Sequence, residues 1–458
     1  MAVTRKDFLA IDFMMEATPG VNPGIVSASY VDGSDSTEGA YVPNLTNGDK
    51  AFALLFEPIE GLPEVGTVEV TEVKSVRDVG NKRLPGLKNN AEVTLTFAMH
   101  GWAAAPGSSD VPGPPPWLQL ASAGCGHIYG NVAASDKGGA RTTIASVGPD
   151  NVTAGTVIDG HCFAVKDASA STTTVQVVRP DDAASTEVTS YQIDTGFTKA
   201  TSDPVYYSCQ THFDTRNDLI GPVGGSSAPT TYTLLIHRAD RDAAQILKGC
   251  RCNKIEISAK AGEVPTIKVT LLAETWTTYT DDPTGADWNG YTGMPGKPMY
   301  GSTCFDDIWP DPEITQRANF VWMDSTTRRT PHISEFSYSI EFGYSRYMAS
   351  TGVEGVAGAY PTGTQRATCK FTVLYDANWR EYLGVNSLPF LYWQGLSQGK
   401  IWFCGMTNAR LTDGPGFDKD ADNKTANEIM LEAGDYCDDA DTYAAGLPAQ
   451  STQFIGVI

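Results

Sequence analysis

The chain has 458 residues, 41% hydrophobic and 19% charged, which is ample to bury a large core and is long enough for two or three domains rather than one. Its 33 Lys and Arg against 54 Asp and Glu leave a net charge of −21. That balance argues against a surface that grips phosphate backbones, since such binding needs cations to displace counterions; solubility alone also accounts for it.

Glycine (45) and proline (27) are raised, and Ser and Thr are plentiful, as expected of a β-rich chain with many turns. The start, "MAVTRKDFLAIDFMMEATPGVNPG", sets Asp7, Asp12 and Glu16 inside its apolar stretch. It lacks a signal-peptide h-region and predicts a chain that folds in a cytoplasm. No apolar run reaches transmembrane length, so no membrane association is expected. Nine cysteines, an odd and scattered set, imply no disulfide framework.

Residues 1–60 read as an irregular arm, turn-rich around "YVDGSDSTEGAYVPNLTNGD", able to order itself on a neighbouring subunit. From Thr67 the period becomes two: Val68 and Val70 alternate with Thr67, Glu69 and Thr71. After a loop, "NKRLPGLKNN", Val93, Leu95, Phe97 and Met99 alternate with Glu92, Thr94 and Thr96, which predicts a strand with one dry and one wet face. "PPPWLQLASAGCG" predicts a short helix from about Trp117, ended by glycine. Residues 139–205 read as a small module of short Thr/Val strands set between its neighbours.

The next pattern is a hairpin, "CRCNKIEISAKAGEVPTIKVTLLAETW", turning at Gly262. Ile255, Ile257, Ile267, Val269 and Leu271 are its expected core face. Lys254, Glu256, Lys268, Thr270 and Glu274 take the other. Residues 286–329 read as an aromatic, Pro/Gly-rich linker. The first pattern then returns. Phe336, Tyr338, Ile340 and Phe342 alternate with Glu335, Ser337, Ser339 and Glu341. A Gly-rich loop, "STGVEGVAGAYPTGTQ", leads to a strand carrying Cys369, Phe371 and Val373, then a short helix candidate, "ANWREYLGV". "GKIWFCGMTNARLTD" and "NEIMLEAGDY" are candidate counterparts of the hairpin. The recurring order of elements predicts an internal duplication. The expected organisation is an arm over 1–60, a first domain over 61–138 plus 206–285, the inserted module 139–205, the linker 286–329, and a second domain over 330–458. The expected fold is mainly β.

Catalytic, cofactor and metal sites are not expected. Cys250 and Cys252 supply two thiolates where a zinc site needs four spaced ligands. The neighbourhood adds only His237, so buried apolar cysteines fit better. Cys125–His127 and His161–Cys162 are likewise pairs without a framework. Asp418, Asp420 and Asp422 match the first positions of a calcium loop, but Asn423 stands where glycine is needed and Ile429 where glutamate is. Asp194–Gly196 matches the aspartic-protease tripeptide once, and that chemistry needs two. Phosphate-binding, nucleophile-elbow and zinc-protease motifs are missing.

In layout the chain resembles the major tail tube proteins of long-tailed bacteriophages. The resemblance rests on "KRLPGLKNNAEVTLTFAMHGW" with "PPPWLQLASAGCG", on "LKGCRCNKIEISAKAGEVPTIKVTLLAETW", and on "HISEFSYSIEFGYSRYM" with "LPFLYWQGLSQGKIWFCGM". It implies two tube domains of β-barrel or β-sandwich type, each with a short helix. It also implies a non-enzymatic virion protein, assembled in the host cytoplasm. Such subunits form stacked rings whose sheets join edge to edge around a lumen that passes double-stranded DNA. Two tube domains per chain imply a trimeric ring with pseudo-sixfold symmetry, a hexamer being the alternative, with tape-measure and tail-terminator proteins as partners. An acidic lumen would repel DNA, and Glu69, Glu92, Glu256, Glu274, Glu335 and Glu341 are the candidate lumen-facing residues. The rival readings are a capsid decoration or baseplate protein, and a virion-associated glycan-binding or glycan-cleaving β protein, for which "DDIWPDPE" and "DWNGY" are the hints.

Overall fold

The computed structural model describes residues 10–16, 50–62, 65–75, 78–88, 91–99, 115–130, 142–143, 163–166, 175–178, 204–207, 209–213, 231–237, 244–279, 318–324, 327–329, 331–353, 356–361, 365–374, 390–395, 401–406, 409–413, 426–433 and 453–457. The helix expected at 377–385, the Asp418 loop and Asp194–Gly196 fall outside them.

The fold is mainly β, and its paired strands are antiparallel. In chain order the strands are β1 (Ala10–Met15), β2 (Lys50–Leu54), β3 (Val65–Ser75), β4 (Asp78–Lys88) and β5 (Ala91–Ala98), followed by helix α1 (Pro116–Ala121). Then come β6 (Gly126–Gly130), β7 (Thr142–Thr143), β8 (Phe163–Lys166), β9 (Val175–Val178), β10 (Pro204–Tyr207) and β11 (Cys209–Phe213). They are followed by β12 (Tyr232–His237), β13 (Ala244–Lys260), β14 (Thr266–Ala273) and β15 (Thr275–Tyr279). The second half holds β16 (Ala318–Asp324), β17 (Thr327–Arg329), β18 (Ile333–Glu341), β19 (Tyr344–Val353), β20 (Val356–Pro361) and β21 (Arg366–Leu374). It closes with β22 (Phe390–Gln394), β23 (Trp402–Met406), β24 (Ala409–Asp413), β25 (Ala426–Ala433) and β26 (Gln453–Val457).

An 11-stranded sheet is organised about β13. This strand is long because it changes partners midway. Its first part pairs with β12 and β15, its second with β14 and β18. At the change stands Gly249, with φ +67°, a conformation that favours glycine and lets the strand bend. Beyond the bend the strands run β5, β14, β13, β18, β21, β25, β24. Alternation sends Ile255, Ile257, Ile267, Val269, Leu271, Tyr338, Ile340 and Phe371 to one face, each at most 1% exposed. A second, 7-stranded sheet, in the order β17, β16, β22, β23, β26, β11, β6, faces it. Aromatic side chains join the two: Phe336 stacks on Tyr392 at 3.9 Å between centroids, and Phe320 lies 4.6 Å from Phe371. Such pairs hold sheets together by large apolar area and by ring geometry. Because both faces of β22, β23 and β26 are covered, every residue in these strands is buried.

Helix α1 forms as expected. Pro116 occupies its first turn, where no amide donor is needed. The chain then leaves through Gly124 at φ +84°, where a side-chain carbon would sit 2.5 Å from the Tyr344 hydroxyl.

Several expectations change. "NKRLPGLKNN" is no loop: β4 pairs with β3 along most of its length, and Pro85 is tolerated where the register shifts. The Gly-rich loop of the second half is the hairpin β19–β20. Within the expected linker, β16 and β17 are strands, and Phe320 is in the core. Part of the arm is also sheet, since β1 pairs with β2 and β12. Residues 142–207 do form a four-stranded sheet of their own, β7, β10, β8, β9. The boundary at 330 is not a break in packing. β18 pairs with β13 over seven residues, β26 lies between β11 and β23, and one core cluster contains side chains from both halves.

Candidate functional site

The solvent side of the large sheet is built by the same alternation that buries its other face. Adjacent strands place their polar residues in rows. One row runs Thr96, Lys268, Glu256, Ser339, Thr368, Glu432 and Arg410; Thr96, expected on the wet face, is buried where residues 55–60 bond to its backbone. The next runs Thr94, Thr270, Lys254, Glu341 and Arg366. Cross-strand neighbours on one face lie close enough to interact, and the charged ones do. Lys254 reaches Glu256 at 3.0 Å and Glu341 at 3.2 Å; Lys260 reaches Glu335 at 3.4 Å and Glu263 at 3.7 Å. Lys268 meets Glu57 at 3.6 Å, Lys370 meets Glu428 at 3.6 Å, and Arg410 meets Glu432 at 3.9 Å. The hydrogen bond to Glu256, followed by that to Glu341, holds the Lys254 ammonium above its ordinary pKa.

This face is only slightly acidic. Glu57 and Glu60 of the segment beside β5, together with Glu92, Glu256, Glu335, Glu341, Glu428 and Glu432, make eight carboxylates against six cations, Lys254, Lys260, Lys268, Arg366, Lys370 and Arg410. The remainder is largely Ser and Thr, with Met430 opposite Lys370. Most of the charge of −21 therefore lies elsewhere.

Among the candidate residues, Glu92, Glu256, Glu335 and Glu341 share this face. The Glu92 carboxylate accepts a hydrogen bond from Asn253 at 2.9 Å. Glu69 does not join them: its backbone lies in the separate hairpin, opposite Arg83. Glu274 is a correction. It stands in the break between β14 and β15, is only 15% exposed, and pairs with the buried Arg251. The alternation that placed it outward ends at Leu271, after which Leu272 and Ala273 are both buried.

Arg251 and Glu274 belong to a polar cluster at the bend of β13 that the periodicity does not signal. Its other member is Glu16, 5% exposed. One Glu16 oxygen accepts from the Thr233 hydroxyl at 2.6 Å and the Gly249 amide at 2.8 Å; the other accepts from the Thr231 hydroxyl at 2.7 Å. The available clue was a lone carboxylate ending the apolar alternation of Ile11, Phe13 and Met15.

Cys250 and Cys252 are both fully buried, and burial pushes both thiols well above their ordinary pKa. For Cys250 the Glu16 and Glu274 carboxylates add to the shift. Thiolates are the reactive and metal-binding form, so neither is poised for such chemistry. Cys125 contacts the Tyr344 hydroxyl at 3.0 Å instead of a metal partner. Among the described residues no group of three or more His, Cys, Asp and Glu is placed to hold a metal, and no helix is long and apolar enough to cross a membrane. Cys250→Ser is expected to cost about 1 kcal/mol, and native protein at pH 8 should leave Cys250 and Cys252 unalkylated by iodoacetamide. Rapid modification of either, followed by mass spectrometry, would restore a reactive-site reading.

The sheet has two unlike ends. At one, residues 55–60 form a short strap on the outer edge of β5. The Phe56 amide donates to Thr96 at 2.8 Å, and Glu60 and Thr94 exchange bonds at 3.2 and 3.0 Å. Pro58 lacks the amide that would continue this ladder. At the other end, among the described residues, β24 pairs only with β25. Compared with known proteins, the chain matches no protein-family model and no curated protein.

Proposed function

We propose that this chain is a structural, non-enzymatic virion protein, the major tail tube subunit of a long-tailed bacteriophage. In this reading it assembles into stacked rings around a lumen that passes double-stranded DNA. What supports the reading is the order of strands in the large sheet. The first half contributes strap, β5, β14, β13, and the second half β18, β21, β25, β24. In chain order both are first, second, fourth, third. A hairpin separates first from second in each case, β3–β4 and β19–β20. A strand pair of the second sheet separates second from third, β6–β11 and β22–β23. The inserted sheet of residues 142–207 falls inside the β6–β11 connection. Each half thus supplies four adjacent strands, and the halves are already joined edge to edge. Three such chains make the pseudo-sixfold ring; six, with only one domain of each lining the lumen, are the alternative.

The polar face is then the lumen wall, and its mechanism differs from simple repulsion. Duplex DNA is held when lysines and arginines exchange counterions for phosphates. Here Lys254, Lys260, Lys268, Lys370 and Arg410 already have carboxylate partners. Their charges are balanced locally, and the surface between them is hydroxyl. Such a wall offers a duplex little net attraction, so DNA slides. Negative-stain microscopy of purified protein tests the reading: tubes of uniform width are expected. Monomers with glycan-cleaving activity, or single closed oligomers decorating capsids, would overturn it.

A further inference from the structure

The seam between the halves shows how this chain joins edge to edge. There β13, the last strand of the first set, lies antiparallel to β18, the first strand of the second. In the ion pairs across the seam the last strand supplies the cation and the first the carboxylate: Lys254 meets Glu341, and Lys260 meets Glu335, while Glu256 on β13 pairs with Lys254 of its own strand and lies opposite Ser339. On the dry face Ile255 lies opposite Ile340 and Ile257 opposite Tyr338.

Among the described residues, the two outermost strands of this sheet repeat the arrangement. β24, the last strand of the second set, carries Arg410 and Thr412 outward and buries Ala409 and Leu411. The strap, first of the first set, carries Glu57 and Glu60, and buries Leu55 and Ile59 at 8% exposure each. Glu60 bonds toward β5 through both its amide and its carbonyl, so the backbone groups of Ile59 point away from β5. Direction agrees as well. With the strap counted the strands alternate through eight positions, so β24 and the strap leave the two ends antiparallel to each other.

We infer that the strap of residues 55–60 accepts β24 of a second copy of this chain, Arg410 standing opposite Glu60 and Leu411 opposite Ile59. The contact is heterologous, so it propagates head to tail until it closes. The strap holds β5 by few backbone bonds, whereas β18 is paired along its length on both sides. This inference names the partner for the tube reading and rests on it.

The test is a charge exchange on the full chain, read as the critical concentration for assembly by sedimentation. Arg410→Glu alone and Glu60→Arg alone are each expected to raise it about tenfold, and the two together to restore it to within about threefold. Arg410→Gln and Glu60→Gln, which only remove the charge, should give the smaller loss typical of exposed pairs. Circular dichroism of each variant should match the parent. Tubes that form with both single variants unchanged would overturn the strap–β24 contact and leave the tube reading standing. Single losses without rescue would also overturn the contact. Rescue that leads to short rings or sheets, never tubes, would uphold it and overturn the tube reading. A chain that stays monomeric at all concentrations overturns both.

Discussion

Ile257→Asp is expected to abolish soluble, folded protein and with it any assembly. Ile257 is 1% exposed and lies between Ile267 on β14 and Tyr338 on β18. It therefore sits at the join of the two halves as well as in the core. Removing its side-chain hydrocarbon costs about 2–5 kcal/mol. The new carboxylate is then buried between the uncharged cross-strand partners Ile267 and Tyr338. An unpaired buried charge adds several kcal/mol more. Together these approach the whole stability of an ordinary domain, about 5–15 kcal/mol. Ile257→Val, which removes one methylene group, should cost only about 0.5–1.5 kcal/mol and still assemble. Solubility, far-ultraviolet circular dichroism and electron microscopy of the two variants check this. A soluble Ile257→Asp with parental unfolding would contradict the two-layer core.

Glu16→Ala is the second large effect. Its carboxylate takes hydrogen bonds from Thr231, Thr233 and Gly249 in a buried position. Alanine leaves those donors without that acceptor, and losing one partner of a buried charged network costs about 3–5 kcal/mol. Glu16→Gln keeps one acceptor oxygen and should lose about half as much. The damage is local in origin, because Glu16 fastens the end of β1 to the bend of β13. Hydrogen exchange should show β1 and β12 opening before β18 and β21. Urea unfolding gives the size of the loss. If Glu16→Ala unfolds like the parent, the cluster contributes nothing net.

The strands of alternating character were legible because alternation is dictated by the pleat. Ile255 to Ala259, Ile267 to Leu271 and Phe336 to Phe342 each read correctly from residue order alone, and Val93 to Met99 did so except at Thr96, which is buried. Helix α1 was legible from a proline entry and a glycine exit. Strands rich in glycine or containing proline were not. β4 carries Pro85 within "LPG", and β20 reads "VAGAYP". Both pair in two-stranded hairpins, where local propensity is weak and the partner strand supplies the reason to extend. Glu274 was misplaced for a related reason. Alternation continues only while a strand keeps its partners, and at Leu272 the sheet changes from one pairing to the next.

By itself the sequence determined the β class and the dry and wet faces of the central strands. The order of elements shared by the two halves was read one strand late in the first half: the strand from Thr67 belongs to the β3–β4 hairpin, and residues 55–60 stand where β18 stands in the second. Tertiary structure decided how those parts meet. It decided that the halves share one core across residue 330, that Glu16, Thr231, Thr233, Gly249, Arg251 and Glu274 converge at one bend, and that cations on the polar face are paired with carboxylates. The division has a physical cause. Face and period are properties of consecutive residues, read from their own side chains. Strand order, pairing and ion partners depend on residues hundreds of positions apart, as Glu16 and Gly249 are, and no local pattern encodes them.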